Sequence, residues 1–413
     1  AYRSAVYEGP TPQRVTITRE ALRDFCRVSL GHLDHSLRAN RRPDGLWDAY
    51  NLLQPTAAGP ALRRLPEMLE GQAAVLGSGL LTPAEAADLL DALRASALYR
   101  ADQGSYLLYP DRTLPRFLDR NRISTAAVDA SPLLSTLVAA GDRTLVRTDL
   151  DGHHHFDAAL RNAAAVEAAL DRLAKGELGP LVEAERAQIL ALYEQTFDHQ
   201  AFTGRSGTFY KYEGLGCIYW HMVSKLLLAV DEVRRTADSA DGALGSRLEA
   251  HYRELRAGLG VHKSPAVHGA IPTEPYSHTP AFAGAQQPGM TGQVKEDLLS
   301  RLGELGVQVE DGRLGFQPWK VRREELLAEA AAFEGIDATG APFRLELPAG
   351  SLGFTFCQVP VVLHGRGPAG LDVLWGDGRR TMVDGLWLDA ASSAQVFART
   401  GAIRQLEVRL GLG

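Results

Sequence analysis

The sequence predicts a mainly α protein: a toroid-like (α/α) helical domain over residues 1–335, then a small antiparallel, sandwich-like β domain over residues 336–413. Three observations predict it. Apolar residues recur at three-and-four spacing between Thr18 and Phe333, the period changes to two after Phe333, and unusually long connections interrupt the helical part.

The first helix is expected from Thr18 to about Ala39, where Leu22, Phe25, Cys26, Ser29, Leu33 and Leu37 share a face and Thr18 can cap the free amides. Thr82-Pro83-Ala84-Glu85 reads as a capping box with proline at the first helical position, followed by Leu89, Leu90, Leu93 and Ala97 on one face. Leu160 to Leu173, Ile189-Tyr193-Phe197, Ile218 to Val230 and Leu244 to Leu255 repeat the pattern. About ten helices are expected before Phe333, with no comparable strand signal among them. Beyond it, Phe343-Leu345-Leu347, Leu371-Val373-Trp375 and Ile403 with Leu406-Val408-Leu410 alternate as half-buried strands, and Leu352 to Leu363 is a longer apolar run. Asp377-Gly378 suits a tight hairpin turn, because glycine tolerates positive φ. Trp319, Trp375 and Trp387 are expected to be packing residues.

Composition narrows the function classes. The 44 basic and 50 acidic residues give a formal charge of −6, so no surplus for nucleic acid is present. At 45% hydrophobic and 23% charged, the chain has ordinary globular composition, which excludes disorder, collagen and coiled coil. No stretch approaches the roughly 18 uncharged apolar residues of a membrane helix. The most apolar helix, from Cys217 to Val230, is interrupted by His221 and Lys225, so no membrane partner is expected. Cys26, Cys217 and Cys357 lie far apart and are odd in number, which points away from disulfides and toward a reducing, cytoplasmic location.

Helix bundles connect their helices through roughly 2 to 8 residues, and long connections usually carry function. Here they run from Asn40 to about Pro60, from Tyr99 to Ser131 and from Gly258 to Gly289. The first contains Asp44 and Asp48 on either side of Trp47, with Arg41, Arg42 and Tyr50 beside them, and Glu70 follows. No Walker loop, dinucleotide fingerprint or nucleophile elbow is present. The tract His153-His154-His155 suggests metal, but adjacent histidines point different ways, so no metal site is expected.

The richest segment is Phe202 to His221. Glu213 lies there among tyrosines just before an apolar helix, where burial would raise its pKa and make it a proton donor. The competing reading is an aromatic core with Glu213 paired to Lys211 or Arg205. Asp44 is the expected partner of Glu213, with Asp48 in reserve. Trp47, Tyr50, Tyr210, Tyr212 and Trp220 offer flat faces for sugar rings, and Glu70, Arg205 and His221 offer polar contacts.

The late part of the chain supplies a resemblance. A loop with Glu274-Pro275-Tyr276, a Thr291-Gly292 turn opening a helix, the turn Leu314-Gly315-Phe316-Gln317-Pro318 and a C-terminal sheet resemble the end of (α/α)-barrel disaccharide phosphorylases of the cellobiose phosphorylase type. The resemblance covers roughly Gly269 to Leu410. The sequence departs from that family in lacking its Asp-Trp-Asn-Asp motif, of which Asp44-Gly45-Leu46-Trp47-Asp48 is a loose echo in a different sequence context. The resemblance implies phosphate binding by Thr291, Gly292 and His278, with Glu274 at the substrate.

The expected function is a glycoside hydrolase or phosphorylase, inverting, acting on a β-glucan-like oligosaccharide with no cofactor and with inorganic phosphate as candidate co-substrate. The alternatives are a noncatalytic glycan-binding or scaffold portion of a larger enzyme, and a helical-barrel polysaccharide lyase or sugar epimerase in which His221, His278 and Tyr276 move protons. A complete toroid needs more helices than the pattern supplies. The chain is therefore expected to meet the N-terminal remainder of a longer polypeptide, or another subunit, across an exposed apolar face.

Overall fold

The computed structural model describes residues 6–7, 9, 15–56, 58–110, 115–198, 218–237, 242–259, 278–279, 294–317 and 321–411. They belong to two compact units, Ala1–Thr291 and Gly292–Gly413.

In the first unit, α1 (Arg19–Ala39) begins where the cap was expected, with Thr18 Oγ1 accepting from the Ala21 amide at 3.1 Å. None of its residues is buried. Among the described residues its last turn is the part tied to the body: the Trp47 indole donates to the Leu37 carbonyl at 3.0 Å, and Arg38 pairs with Glu85 at 2.5 Å and reaches the Leu80 carbonyl at 3.2 Å. The hairpin β1–β2 (Asn51–Thr56, Gly59–Arg64) follows.

One core gathers α2 (Leu69–Leu76), α3 (Pro83–Ala95), α9 (Trp220–Thr236) and α10 (Gly242–Gly258) around Leu69, Leu90, Leu93, Trp220, Leu227 and Tyr252. Both reciprocal bonds of the Thr82–Glu85 capping box are present at the start of α3.

The buried residues of a second core run from Ile123 to Phe197, and Phe117 stacks on Phe197 from just outside that span. This core is built from α4 (Phe117–Arg120), α5 (Thr125–Asp129), α6 (Pro132–Ala140), the hairpin β5–β6 (Val146–Thr148, His154–Phe156), α7 (Ala163–Leu173) and α8 (Gly179–Phe197). Phe156, Tyr193 and Phe197 stack at its centre with ring centroids 4.9 to 6.1 Å apart. Asn121 fixes the hairpin by donating to the Phe156 carbonyl and accepting from the Phe156 amide, both at 2.8 Å. Buried Glu185 takes the Ser131 hydroxyl and the Leu133 amide, satisfying the start of α6.

The helical part departs from expectation in two ways. It contains short two-stranded ladders where no strand signal was expected: the hairpins β1–β2, β3–β4 (Tyr99–Arg100, Ser105–Tyr106) and β5–β6, and the long-range antiparallel pair β7–β8 (Ile218–Tyr219, His278–Thr279). Strands of two to six residues are too brief for alternation to stand out against the helices. The described helices also divide between two cores, and the closed (α/α) ring expected from the helix pattern is not established by them.

The second unit holds α11 (Val294–Glu304), the hairpin β9–β10 (Val307–Glu310, Arg313–Phe316), the hairpin β11–β12 (Ala331–Ile336, Pro342–Leu347), and a five-stranded sheet. That sheet has the order β13-β14-β17-β15-β16, from β13 (Ser351–Phe356), β14 (Val359–His364), β15 (Gly370–Trp375), β16 (Arg380–Val383) and β17 (Ile403–Arg409). All pairs are antiparallel except β14 with β17, which the helix α12 (Ala390–Phe397) makes parallel by carrying the chain back.

The unit spans Gly292–Gly413, and within it Leu305, Val307, Leu314 and Phe316 share one core with Val361, Leu371 and Leu406. Gly315 is the tight point: a Cβ there would meet the Trp387 ring at 2.3 Å. Trp387 is thus the packing residue the sequence suggested. At Asp377-Gly378 the expected turn forms, with Gly378 at φ +88° and its amide 3.0 Å from the Trp375 carbonyl. Trp319 lies outside the described residues. No helix among the described residues is long and apolar enough to cross a membrane.

Candidate functional site

After α1 the chain reverses through Asn40–Tyr50, pinned by the Arg42 amide on the Leu46 carbonyl (2.8 Å) and the Asp48 amide on the Asn40 carbonyl (2.9 Å). Gly45 sits at φ +84°, where an L side chain would be strained. This turn makes Arg42 a hub. Its guanidinium meets Asp44 at 3.0 Å, Asp48 at 3.1 Å, the Leu65 carbonyl at 3.2 Å and Glu67 at 3.6 Å.

The two aspartates expected to do acid–base work differ in setting. Asp48 has a side chain only 1% exposed, clamped between Arg42 and Arg64, whose Nε lies 3.4 Å from its other oxygen. That is the setting of a structural ion cluster. Asp44 is 47% exposed. Burial pushes its pKa up, but the Arg42 hydrogen bond and the Leu46 amide more than offset this and hold it below the ordinary range. A carboxylate kept ionised suits a base or a charge-positioning role, not a proton donor.

Trp47 and Trp220 are enclosed in the first core, 2% and 0% exposed, so neither ring offers a face to a sugar, and the stacking role expected for them is corrected. Trp47 is instead a fastener. Its amide donates to Gln72 Oε1 at 2.9 Å, while Gln72 Nε2 donates to the Trp47 and Met68 carbonyls, each at 2.8 Å. Gly71 permits that approach, since a Cβ there would lie 2.8 Å from the Trp47 carbonyl oxygen. Gln72 is fully buried, and sequence reasoning missed it. A lone glutamine in the run Leu69-Glu70-Gly71-Gln72-Ala73-Ala74 was its only signal. Tyr50 is 52% exposed. Glu70 is half-buried in the first turn of α2.

Around the start of α9 the ladder β7–β8 pairs Tyr219 with His278, bringing the backbone of the third long connection beside Tyr219-Trp220-His221. The Tyr219 hydroxyl lies 3.4 Å from His221 Nδ1, and the two rings meet edge to face. The structure thus joins two of the segments predicted to share a site. Glu213, Arg205, Tyr210, Tyr212, Glu274, Thr291 and Gly292 lie outside the described residues, as does the side chain of His278.

Two further constellations lie apart from the expected catalytic residues. Between α3 and α10, the Arg94 guanidinium lies 3.4 Å over the Tyr99 ring while Glu254 accepts from Arg94 at 2.5 Å and from the Tyr99 hydroxyl at 3.2 Å. Burial and the Glu254 charge raise the Tyr99 pKa, so the phenol stays a neutral donor. At the tip of β5–β6, Asp149, Asp151 and His153 place ligand atoms all within 4.8 Å of one another and could hold a cation. Of the other histidines in the tract, His154 turns to the Thr148 hydroxyl (3.0 Å), while His155 hydrogen-bonds to Asp149 itself (2.8 Å). The His155 hydrogen bond and the His153 amide hold the Asp149 carboxyl well below its ordinary pKa.

With this geometry in hand, comparison with known families adds one finding. Residues 114–200 match the model described as GH149 phosphorylase insertion domain 2. The matched span coincides with the second core, from Ile123 to Phe197. The chain therefore carries a glycoside phosphorylase-related segment, which is not specific to the cellobiose phosphorylase type that the late motifs resemble. No curated protein matches the chain.

Proposed function

We propose that this chain serves a carbohydrate-active enzyme that cleaves β-glucan-like oligosaccharides by inverting phosphorolysis. The observation that carries the reading is the phosphorylase insertion domain matched over residues 114–200. In this reading Glu213 protonates the glycosidic oxygen as the bond to the anomeric carbon breaks, and a phosphate oxygen forms its bond to that carbon from the opposite face. Backbone amides of Thr291 and Gly292, which precede α11 in the sequence, and His278 hold the phosphate, since a helix start attracts an oxyanion without a lysine. Tyr50, Tyr210 and Tyr212 stack on sugar rings, while Glu70, Arg205, His221 and Glu274 bind hydroxyl groups. Asp44, held ionised by Arg42, is the group that would activate water if water replaced phosphate.

The test is turnover of laminari-, sophoro- and cello-oligosaccharides with and without inorganic phosphate, with the product anomer followed by NMR. The expected result is phosphate-dependent release of an α-sugar 1-phosphate, lowered by about 100-fold or more in Glu213→Gln. Turnover that ignores phosphate would make the protein a hydrolase or transferase. Sugar binding without any turnover would favour a noncatalytic glycan-binding portion of a larger enzyme.

A further inference from the structure

α1 carries an apolar stripe that no described residue covers. Leu22, Phe25, Leu30 and Leu33 are 56%, 69%, 59% and 58% exposed, with Cys26 and Ser29 between them. At 100° per residue this stripe spans about 140° of the helix surface, as wide as the face an amphipathic helix normally buries. Among the described residues the body grips α1 at its last turn, through Leu37, Arg38 and Ala39. The hairpin tied to that turn by Asn51 and Asn40 (2.7 Å) also exposes Leu53 and Leu62, cross-strand neighbours 67% and 69% exposed.

We infer that α1 docks antiparallel against α1 of a second copy of this chain, about a two-fold axis passing between Arg27 and Val28. The stripe is self-complementary in that register. Leu22 meets Leu33 of the second copy and Cys26 meets its Ser29, so leucines flank a small-residue centre that lets the helices approach closely. Charge fixes the direction. Arg19, Arg23 and Asp34 are exposed along one edge of the stripe, and a two-fold antiparallel pair sets each edge against itself. Asp34 then falls within one turn of Arg19 and Arg23 of the second copy, twice over. The opposite edge carries Ala21, Val28, His32 and Ala39 and no acid, so a parallel pair would form none of these contacts. Antiparallel packing also sets the helix dipoles head to tail. A helix of this length spans about 32 Å. One helix pair falls short of the roughly 1,600 Å² of a standard interface, so the dimer is reversible and micromolar.

The experiment is sedimentation equilibrium of the full chain over about 1 to 100 μM, the range that brackets a micromolar constant. The wild type is expected to show a monomer–dimer equilibrium. Leu33→Asp should weaken it about tenfold or more while leaving the circular dichroism spectrum unchanged. Asp34→Arg and Arg23→Asp should each weaken it, and the double variant Arg23→Asp/Asp34→Arg should recover most of the loss. A second readout fixes the register: Ser29→Cys should cross-link to Cys26 of the other copy under diamide. A monomer at every concentration would overturn the inference. So would a dimer indifferent to Leu33→Asp, which would use another surface, or singles that the swap fails to rescue.

Discussion

The helices of residues 115–198 and the first helix are written with the same three-and-four spacing, yet only the former enclose their apolar faces. Val166, Leu170, Ile189 and Tyr193 are fully buried, whereas Leu22, Phe25 and Leu33 each leave more than half of their surface in water. An amphipathic pattern says which face wants cover, not where the cover comes from. In residues 115–198 it comes from neighbours within about 80 residues of chain, through one asparagine lock at Asn121 and one buried carboxylate at Glu185. For α1 no described residue supplies it, which is why the docking inference falls there.

Substitution separates the two regions most sharply. Phe156→Ala, in the three-ring centre, should cost about 3–5 kcal/mol in denaturant unfolding of the span it belongs to. Phe25→Ala, at the exposed stripe, should stay within about 0.5 kcal/mol at dilute concentration. Equal costs would erase the contrast.

A smaller effect concerns how α1 is attached. Glu85 is held at about 2, against its ordinary 4.5, chiefly by the Arg38 hydrogen bond and then by the Thr82 amide. A depressed carboxyl stabilises the folded form above its unfolded value, and that contribution is lost as pH falls from 4.5 toward 2. Limited proteolysis should therefore cut near the α1 junction faster at pH 3 than at pH 6, and Glu85→Gln should show the fast cutting already at pH 6. A cutting rate independent of pH in that window would remove Arg38–Glu85 as the anchor.

Much of the local structure was legible because it is written in neighbouring residues. Thr18 caps α1, Thr82 and Glu85 close their box, and Asp377-Gly378 turns the hairpin. What was not legible depends on contacts distant in sequence. Leu314 and Phe316 pack with the sheet, although the period changes only after Phe333. Trp47 and Trp220 looked like stacking platforms because they stand beside charges in the sequence, but folding turns both rings into the core. Gln72 fastens the first loop through two hydrogen bonds to Trp47 and gives no periodic signal at all. Of the candidate site, the structure joins the Tyr219 and His278 backbones and shows Asp44 held by Arg42. Neither contact follows from spacing alone.

The central contrast, a segment that carries its own core beside a helix that relies on a second copy, is tested most directly by hydrogen exchange on the full chain at two concentrations. The account predicts strong protection of α6, α7 and α8 at both concentrations, and protection of Leu22 to Leu33 that rises severalfold only at the higher one. Residues 22–33 equally protected at both concentrations, or 163–197 exchanging as fast as α1, would contradict it.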